Sequence, residues 1–591
     1  MLRLKKIDIS LALLVLVSLV GLITRFIYLG NIPWGLYWDE TAMYVAVKSL
    51  LASAKDMHGL AWYQLVYPSY GDYKLPVYIL SAWFSAKFLG LSAFSLRLPS
   101  ALAGVATAVV AGLIGLKLLK WQKPRPTHKL KLFTFFSILL VVSFSPWGLM
   151  FSRTAFEAHL SQFILALAVY LLLLTDLNHK FKRWLFLPAV FFGTLSIYTY
   201  YSTRFVWPVV LLVVFLIKFF QLKKISQKSK PKPSLYLLMA VMSLGLTFLA
   251  LLPLQKSSFY QASQQVRLST PSVIDAKNHQ DQVLTSNHYR QLAGDTLFDR
   301  LVFHRDLFLL TQLGENFSQN LSLNNLFLSG DPNLRHGTGQ FGLFLLAFLP
   351  FFIIGLYQLA KNNHFGLGLL LIWWFVALLP ASVPNETPHA LRSLNALVPL
   401  AIIIGLGLGF SFWWLKDLGG RLKLETAFFN LILILVLTAN FFYFINYYFK
   451  QYPLSSAASW QVGYKELANQ IYQMRGKLDK DKLPVVILSP DDRFYLWLMA
   501  YGPYQGDEFA TWPEKNFQKV DFDELYFKNP DLEIKKLKDQ DKTFLIAGDN
   551  KKVVETIKKY HLGTSLCFPS KTGNEGEIEP VACLISPEIR N

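Results

Sequence analysis

Apolar runs close to 20 residues long recur along this chain, and they constrain its fold more than any other feature. At 1.5 Å per residue, a helical run of that length crosses a hydrocarbon core of about 30 Å. Eleven can be drawn, at roughly 9–29, 98–119, 132–151, 156–175, 184–201, 204–220, 235–254, 341–360, 365–383, 393–415 and 426–447. Lipid offers the backbone no hydrogen-bond partner, so such runs are helices. The reading is a polytopic, all-α membrane protein. Disorder is excluded by 53% hydrophobic residues, and a disulfide-stapled secreted module by only two cysteines in 591 residues.

The net charge of +20 would suit nucleic acid if it lay on one soluble face. It lies instead in short segments between the runs. Segments 1–6, 120–131, 177–183, 223–232, 361–364 and 416–423 hold 20 Lys and Arg but a single acid, Asp417. Basic short loops mark the cytoplasmic side, so no nucleic-acid partner is expected. Arg3, Lys5 and Lys6 fix the N-terminus inside, and the first run, with no A-x-A cleavage signal, reads as an uncleaved anchor. Alternation then places 30–97, 152–155, 202–203, 255–340, 384–392 and 448–591 outside. The apolar stretch 75–95 carries Lys87 and would reverse this parity if it crossed. It reads as a helix in the outer interface, with Tyr78, Trp83 and Phe84 at the boundary.

The division expected is a transmembrane catalytic domain over 1–450, with external loops 30–97 and 255–340, and a small extracytoplasmic α/β domain over 455–591. In the latter, KLPVVILSP (482–490) and KTFLIAGD (542–549) read as strands and KKVVETIKKY (551–560) as a helix. Cys567 and Cys583 both fall there. Outside the cell they can pair; inside they would be two buried thiols.

Most ionisable residues beside the runs fall on the external side, where they are functional candidates with pairing as the rival explanation. Asp39 and Glu40 precede a helical face of Ala42, Val45, Ala46 and Leu50, and serve either as an N-cap or in catalysis. Lys74, before Leu75-Pro76, either meets a phosphate head group or snorkels. Arg97 stands at the outer end of the second run. Arg153 and Glu157 are four apart and can neutralise each other, with Glu157 about a turn into the membrane. Arg204 sits among tyrosines, and Glu386, His389 and Arg392 follow in PNETPHALR (384–392). No G-x-x-x-x-G-K-[ST], H-E-x-x-H or G-x-S-x-G is present, so no nucleotide cradle or zinc-protease helix is expected.

WDETAMYV (38–45), YKLPVYIL (73–80) and RLPSALAG (97–104), in that order and spacing, resemble the GT-C glycosyltransferases that use polyprenyl-phosphate sugars. The likeness is greatest to the protein O-mannosyltransferase and aminoarabinose transferase group and its bacterial relatives. SPWGLMFSRTAFEAH (145–159), FLSGDPNLRHGTGQFGLFLLAFLPF (327–351) and HALRSLNALVPLAIIIGLGL (389–408) also read like family positions, so the resemblance covers about residues 1–450. It implies a GT-C fold in a bacterial inner membrane, with a lipid-linked donor and an extracytoplasmic acceptor (glycan, lipid or protein). It implies Asp39 as general base, with Glu40 beside it and Glu157 as a second acid. Lys74 would bind the donor phosphate, with Arg204 or Arg392 as a second contact. Arg97, Arg153, Arg335, His336 and His389 are accessory candidates. The residues leave a divalent ion open as a cofactor, since acids around a phosphate can hold one or work without it. Loop 255–340 lacks the strand pattern of the β-trefoil that protein mannosyltransferases insert, and the WWDYG-type oligosaccharyltransferase motif is absent. The rival readings are a lipid-linked glycan transporter, which would want charges on both sides of the midplane, an O-antigen-ligase-like transferase, and a mere anchor for the C-terminal domain.

Overall fold

The computed structural model describes residues 8–69, 72–122, 125–225, 232–269, 272–418, 423–477, 483–488, 493–504, 525–526, 529–548, 550–569 and 580–585. Arg3, Lys5, Lys6 and residues 226–231 of the basic stretch 221–234 lie outside them. The described chain is predominantly helical and forms two units. The first comprises residues 1–32, 75–85 and 97–456; the second comprises 33–74, 86–96 and 457–591. Helix Trp38–Ser53 of the first external loop therefore groups with the C-terminal domain, whereas the sequence division leaves that loop with the spans.

Among the described residues, seven helices are long and apolar enough to cross a membrane: Ala93–Leu119, Glu157–Leu174, Thr203–Lys223, Ser234–Lys256, His364–Ala381, Leu394–Trp414 and Phe428–Ser455. An eighth candidate is the pair His128–Phe144 and Pro146–Ser152, bent by 64°. The other three expected runs form shorter helices, Ile9–Ile23, Phe186–Ile197 and Leu349–Asn362, the last two entered through 3-10 turns. The chain is thus an integral membrane protein by the length and composition of its helices. Pro76–Leu89, in the stretch expected to lie in the outer interface, is a 14-residue helix. Its Tyr78 is a correction: the side chain is fully buried and bonded to Ser100 at 2.9 Å, because it sits on the face turned to helix Ala93–Leu119. Phe84, Phe88 and Leu89 are the exposed apolar residues of that helix.

The bend at Ser145 has an identifiable cause. Proline has no N–H, so Pro146 cannot bond the Val142 carbonyl, and in an apolar setting an unpaired carbonyl is costly. Arg25 supplies the missing donor, with Nη2 at 2.8 Å from Val142 O and Nη1 at 3.4 Å from Ser143 O. Ser145 caps the new turn through Gly148 N at 3.1 Å. Arg25 is wholly buried, and it lies inside a run the sequence presents as simply apolar.

Loop 255–340 is helical, with Ser258–Ser269, Ala276–Ala293, Leu297–Val302 and Arg305–Leu321, and among its described residues there is no strand. Two of its N-x-S sequons are structural. Asn316 donates to Ser382 O and Pro384 O, and Asn320 to Asn316 O and Ala381 O, and both side chains are buried.

The second unit has a hairpin of β1 (Tyr67–Ser69) and β2 (Asp72–Lys74) and a five-stranded sheet. The sheet strands are β3 (Val485–Leu488), β4 (Leu525–Tyr526), β5 (Phe544–Gly548), β6 (Thr564–Pro569) and β7 (Pro580–Ile585), in the order β4-β3-β5-β7-β6. β3 runs parallel to β4 and β5, and β7 is antiparallel to β5 and β6. The described residues of β3 and β5 are buried throughout, the mark of a central strand covered on both faces. Successive side chains alternate between two cores. Val486, Leu488, Phe544 and Ile546 meet Ile534, Leu537 and Val553. Val485, Ile487, Leu545 and Ala547 meet helices 464–477 and 495–501, and also Ala42, Val45 and Ala46 of helix Trp38–Ser53. The sequence reading of both strands and of the helix at 551–560 agrees with this. Cys567 and Cys583 face each other across β6 and β7 and are joined as a disulfide.

Candidate active site

Helix Trp38–Ser53 begins after Tyr37, which is its N-cap and makes no side-chain cap bond. Asp39 and Glu40 are therefore in the first turn, not at the cap, which corrects the N-cap reading of Asp39. Acids there still gain from the helix dipole. The entry is tightly fitted. Gly35 has φ +76°, and a Cβ on it would lie 2.7 Å from Trp460 O, so only glycine passes there. Tyr37 meets the edge of Trp460 at 5.4 Å, and the Arg493 guanidinium lies 4.7 Å from the Trp38 ring centroid. At the other face, Lys48 donates to the carbonyls of Met499, Ala500 and Gly502 at 3.2, 3.1 and 3.0 Å, a cation at the C-terminus of helix Tyr495–Tyr501. Hydrogen bonds from a charged donor contribute roughly 1.5–3 kcal/mol. Lys48→Met is accordingly expected to destabilise the second unit by about 2 kcal/mol, read as a lower Tm in thermal unfolding of the detergent-purified protein.

Asp39 and Lys74, 35 positions apart, form an ion pair of 3.0 Å. Lys74 also pairs with Asp72 at 3.0 Å. Side chains two apart on a strand share a face, so Asp72 and Lys74 of β2 are set side by side by the pleat. The Lys74 side chain is 12% exposed, against 34% for Asp39 and 37% for Asp72. The cation is thus shielded and the two carboxylates reach solvent. Asp72 was not singled out from the sequence; its spacing to Lys74 on a short strand is the signal that would find it. Glu40 is fully buried beside Asp39 in the same turn.

Within the first unit, Glu157 is the first residue of its helix and is buried. Arg153 does not neutralise it. Arg153 instead donates to the carbonyls of Thr24, Arg25 and Ile32 at 2.7, 3.2 and 3.1 Å and lies over the rings of Tyr448 and Phe449. Arg97 is buried near the start of helix Ala93–Leu119, with Nη1 3.3 Å from Leu29 O.

Arg204 and Arg392 line the same cavity, of about 630 Å³. Its other walls are mostly apolar, among them Phe205, Leu313, Phe317 and Leu379. Arg204 is oriented by Tyr260 Oη at 3.1 Å and Gln264 Oε1 at 2.9 Å and lies over Tyr201 and Phe205. An apolar chamber with two guanidinium groups is suited to an amphiphile with an anionic head.

The third group, also in the first unit, comes from GDPNLRHG (330–337). Asp331 Oδ1 accepts from Asn333 N at 2.8 Å, and the turn is closed by His336 N and Gly337 N bonding Asn333 O at 2.8 and 2.9 Å. A Cβ on Gly337 would run into Asp331 O, which is why the return needs glycine. His336 comes back to within 3.5 Å of Asp331 and stacks on His389 at 4.8 Å. Burial, with His336, Arg392 and Arg335 nearby, holds the His389 imidazole well below its ordinary pKa. Arg335 Nε bonds Asn333 Oδ1 at 3.3 Å. Asp331 is a residue the sequence reading passed over, although it stands in a motif quoted for other reasons.

A scan against family models gives no match, and neither does a search of curated proteins. Among solved structures, the chain is similar to ArnT from Cupriavidus metallidurans bound to undecaprenyl phosphate, with TM-score 0.48 and 12% identity over 97% of each chain. The apo form of that protein gives TM-score 0.49 and 11% identity over 97% of each. The archaeal oligosaccharyltransferase AglB from Archaeoglobus fulgidus, in complex with an inhibitory peptide and dolichol-phosphate, gives 0.45 and 14%, over 84% of this chain and 65% of that one. Both proteins are GT-C glycosyltransferases.

Proposed function

We propose that the chain is a GT-C-type membrane glycosyltransferase. It transfers a monosaccharide, hexosyl or pentosyl, from a polyprenyl-phosphate donor to an extracytoplasmic acceptor, with inversion. The observation that carries this reading is the 3.0 Å Asp39–Lys74 pair, which joins a carboxylate and a shielded cation from two motifs 35 residues apart. In the proposed reaction Asp39 takes the proton of an acceptor hydroxyl as its oxygen attacks the anomeric carbon. The bond from that carbon to the phosphate oxygen breaks, and polyprenyl phosphate leaves with the bonding pair. Lys74 meets the charge that grows on the leaving phosphate, stabilising the transition state more than the ground state. When Lys74 turns to phosphate, Asp72 keeps it in place and Asp39 is released to act as base.

The cavity lined by Arg204 and Arg392 supports a phosphate-headed lipid as donor, with either arginine as a phosphate contact. The Cys567–Cys583 disulfide supports an oxidising compartment for the C-terminal domain, as expected outside the cytoplasm of a bacterial inner membrane. Orientation has its own test. A cysteine at Arg125 is expected to react with impermeant maleimide only in inverted vesicles, and one at Asn385, which is exposed, only in whole cells. The opposite pattern would overturn the orientation.

The reaction is tested with purified protein, a panel of polyprenyl-phosphate monosaccharides carrying radiolabelled sugar, and an envelope fraction as acceptor. Label passing into the acceptor from one donor supports the reading and names the sugar. No transfer from any donor, by a folded protein, favours a transporter of lipid-linked glycans, to be assayed as movement across vesicles.

A further inference from the structure

We infer that Asp331, His336 and His389 form a binding site for a divalent transition-metal ion of the zinc class, independent of the reaction assigned to the chain. One ligand atom from each of the three lies within 4.8 Å of the other two. Around a tetrahedral zinc with bonds near 2.0–2.1 Å, ligand atoms stand about 3.4 Å apart. Asp331 Oδ2 and His336 Nδ1, at 3.5 Å, already have that spacing. Closing the third side requires the two imidazole rings to turn out of their stack so that their nitrogens converge.

Three further observations point to a cation. His389 Nδ1 is buried and has no hydrogen-bond partner. Asp331 is 2% exposed, and no Lys or Arg of the described residues forms an ion pair with it. Its carboxylate is nonetheless fixed in direction, by Asn333 N at 2.8 Å and Ala390 N at 2.7 Å, with Oδ2 also facing His336. Backbone bonds hold the other pieces as well. Asn320 Oδ1 accepts from His389 N at 2.9 Å, and Trp147 Nε1 donates to Ala390 O at 3.0 Å, so the residues that carry the ligands are braced from two other segments. The His336 ring packs on Phe151 and Phe156 at 6.3 and 5.8 Å. Two imidazoles and one carboxylate are mixed nitrogen and oxygen donors, which suit zinc over magnesium or calcium, and three protein ligands leave a fourth position open.

The test uses the full-length protein in detergent, stripped with a chelator and reloaded with Zn²⁺ or Co²⁺. One equivalent per chain is expected after gel filtration, with Co²⁺ giving visible ligand-field bands. Asp331→Asn keeps an oxygen for Ala390 N–H, and it is expected to weaken binding at least tenfold. His336→Phe with His389→Phe keeps the ring stack while removing both lone pairs, and is expected to abolish the bands. Thermal unfolding of each variant without metal confirms that the fold survives. Asp39→Asn should load like wild type, which keeps this result separate from the fate of the transferase reading. Wild-type protein that retains no metal, or a double phenylalanine variant that loads normally, would overturn the site.

Discussion

Asp39→Asn is expected to lower sugar transfer by roughly 10²–10⁴-fold, the usual range for a positioned general base, and to leave the protein folded. The two halves of this statement rest on different features. Asp39 is not the helix cap, so no capping bond is lost with its charge. Asparagine keeps an oxygen within reach of Lys74, and Lys74 keeps Asp72. The stability change is then that of one half-exposed ion pair, on the order of 1 kcal/mol or less. An activity loss of two or more powers of ten corresponds to at least about 2.7 kcal/mol in the transition state. The two magnitudes differ enough to be read apart. Thermal unfolding and labelled transfer measured on one preparation decide it: a variant that folds and still transfers within threefold of wild type removes Asp39 as base.

The helices were legible because lipid imposes a run length and because charge between the runs is not free to fall anywhere. The strands at 485–488 and 544–548 were legible because a strand covered on both faces is a short continuous apolar run. Long-range exchange of partners was not. Nothing in the first loop says that Ala42, Val45 and Ala46 bury themselves on a sheet built more than 400 residues later. The 3.6-residue period shows only that the face is buried. The same holds for Arg25, whose purpose is visible only once Pro146 is seen to leave Val142 O without its donor. Arg153 and Glu157 show the opposite error: the i,i+4 spacing suggests a pair, but the helix starts at Glu157, so the two residues do not share a helical face.

This placement also gives the C-terminal domain a part in the proposed reaction. Acceptor recognition is one role a small external domain can have. Within the second unit, however, helices 464–477 and 495–501 pack directly on the helix that carries Asp39, and Lys48, Trp38 and Tyr37 tie that helix at three points. A catalytic carboxylate must be held to within a fraction of an ångström to be effective. In the proposed reaction the domain does part of that holding for Asp39, since helix Trp38–Ser53 and the C-terminal sheet share one core despite their separation in sequence.

Lys74→Ala is expected to lower transfer by about 10²–10³-fold, the range for removing one donor aimed at developing charge, while Lys87→Ala stays within twofold of wild type. Both residues are lysines near one short helix, and a general loss of positive charge would affect them alike. They differ in burial. Lys87 is exposed, whereas the Lys74 side chain is 12% exposed and held between two carboxylates. A shielded cation keeps most of its interaction with a phosphate, because little water competes. Removing it also leaves Asp39 and Asp72 without their shared partner, so Lys74→Ala alone does not separate lost phosphate binding from carboxylate repulsion. The double variant Lys74→Ala, Asp72→Asn does. If Lys74 acts on the leaving phosphate, neutralising Asp72 restores stability but not transfer. Recovery of transfer to within tenfold of wild type in the double variant would make Lys74 a structural counter-ion and leave the phosphate to Arg204 and Arg392.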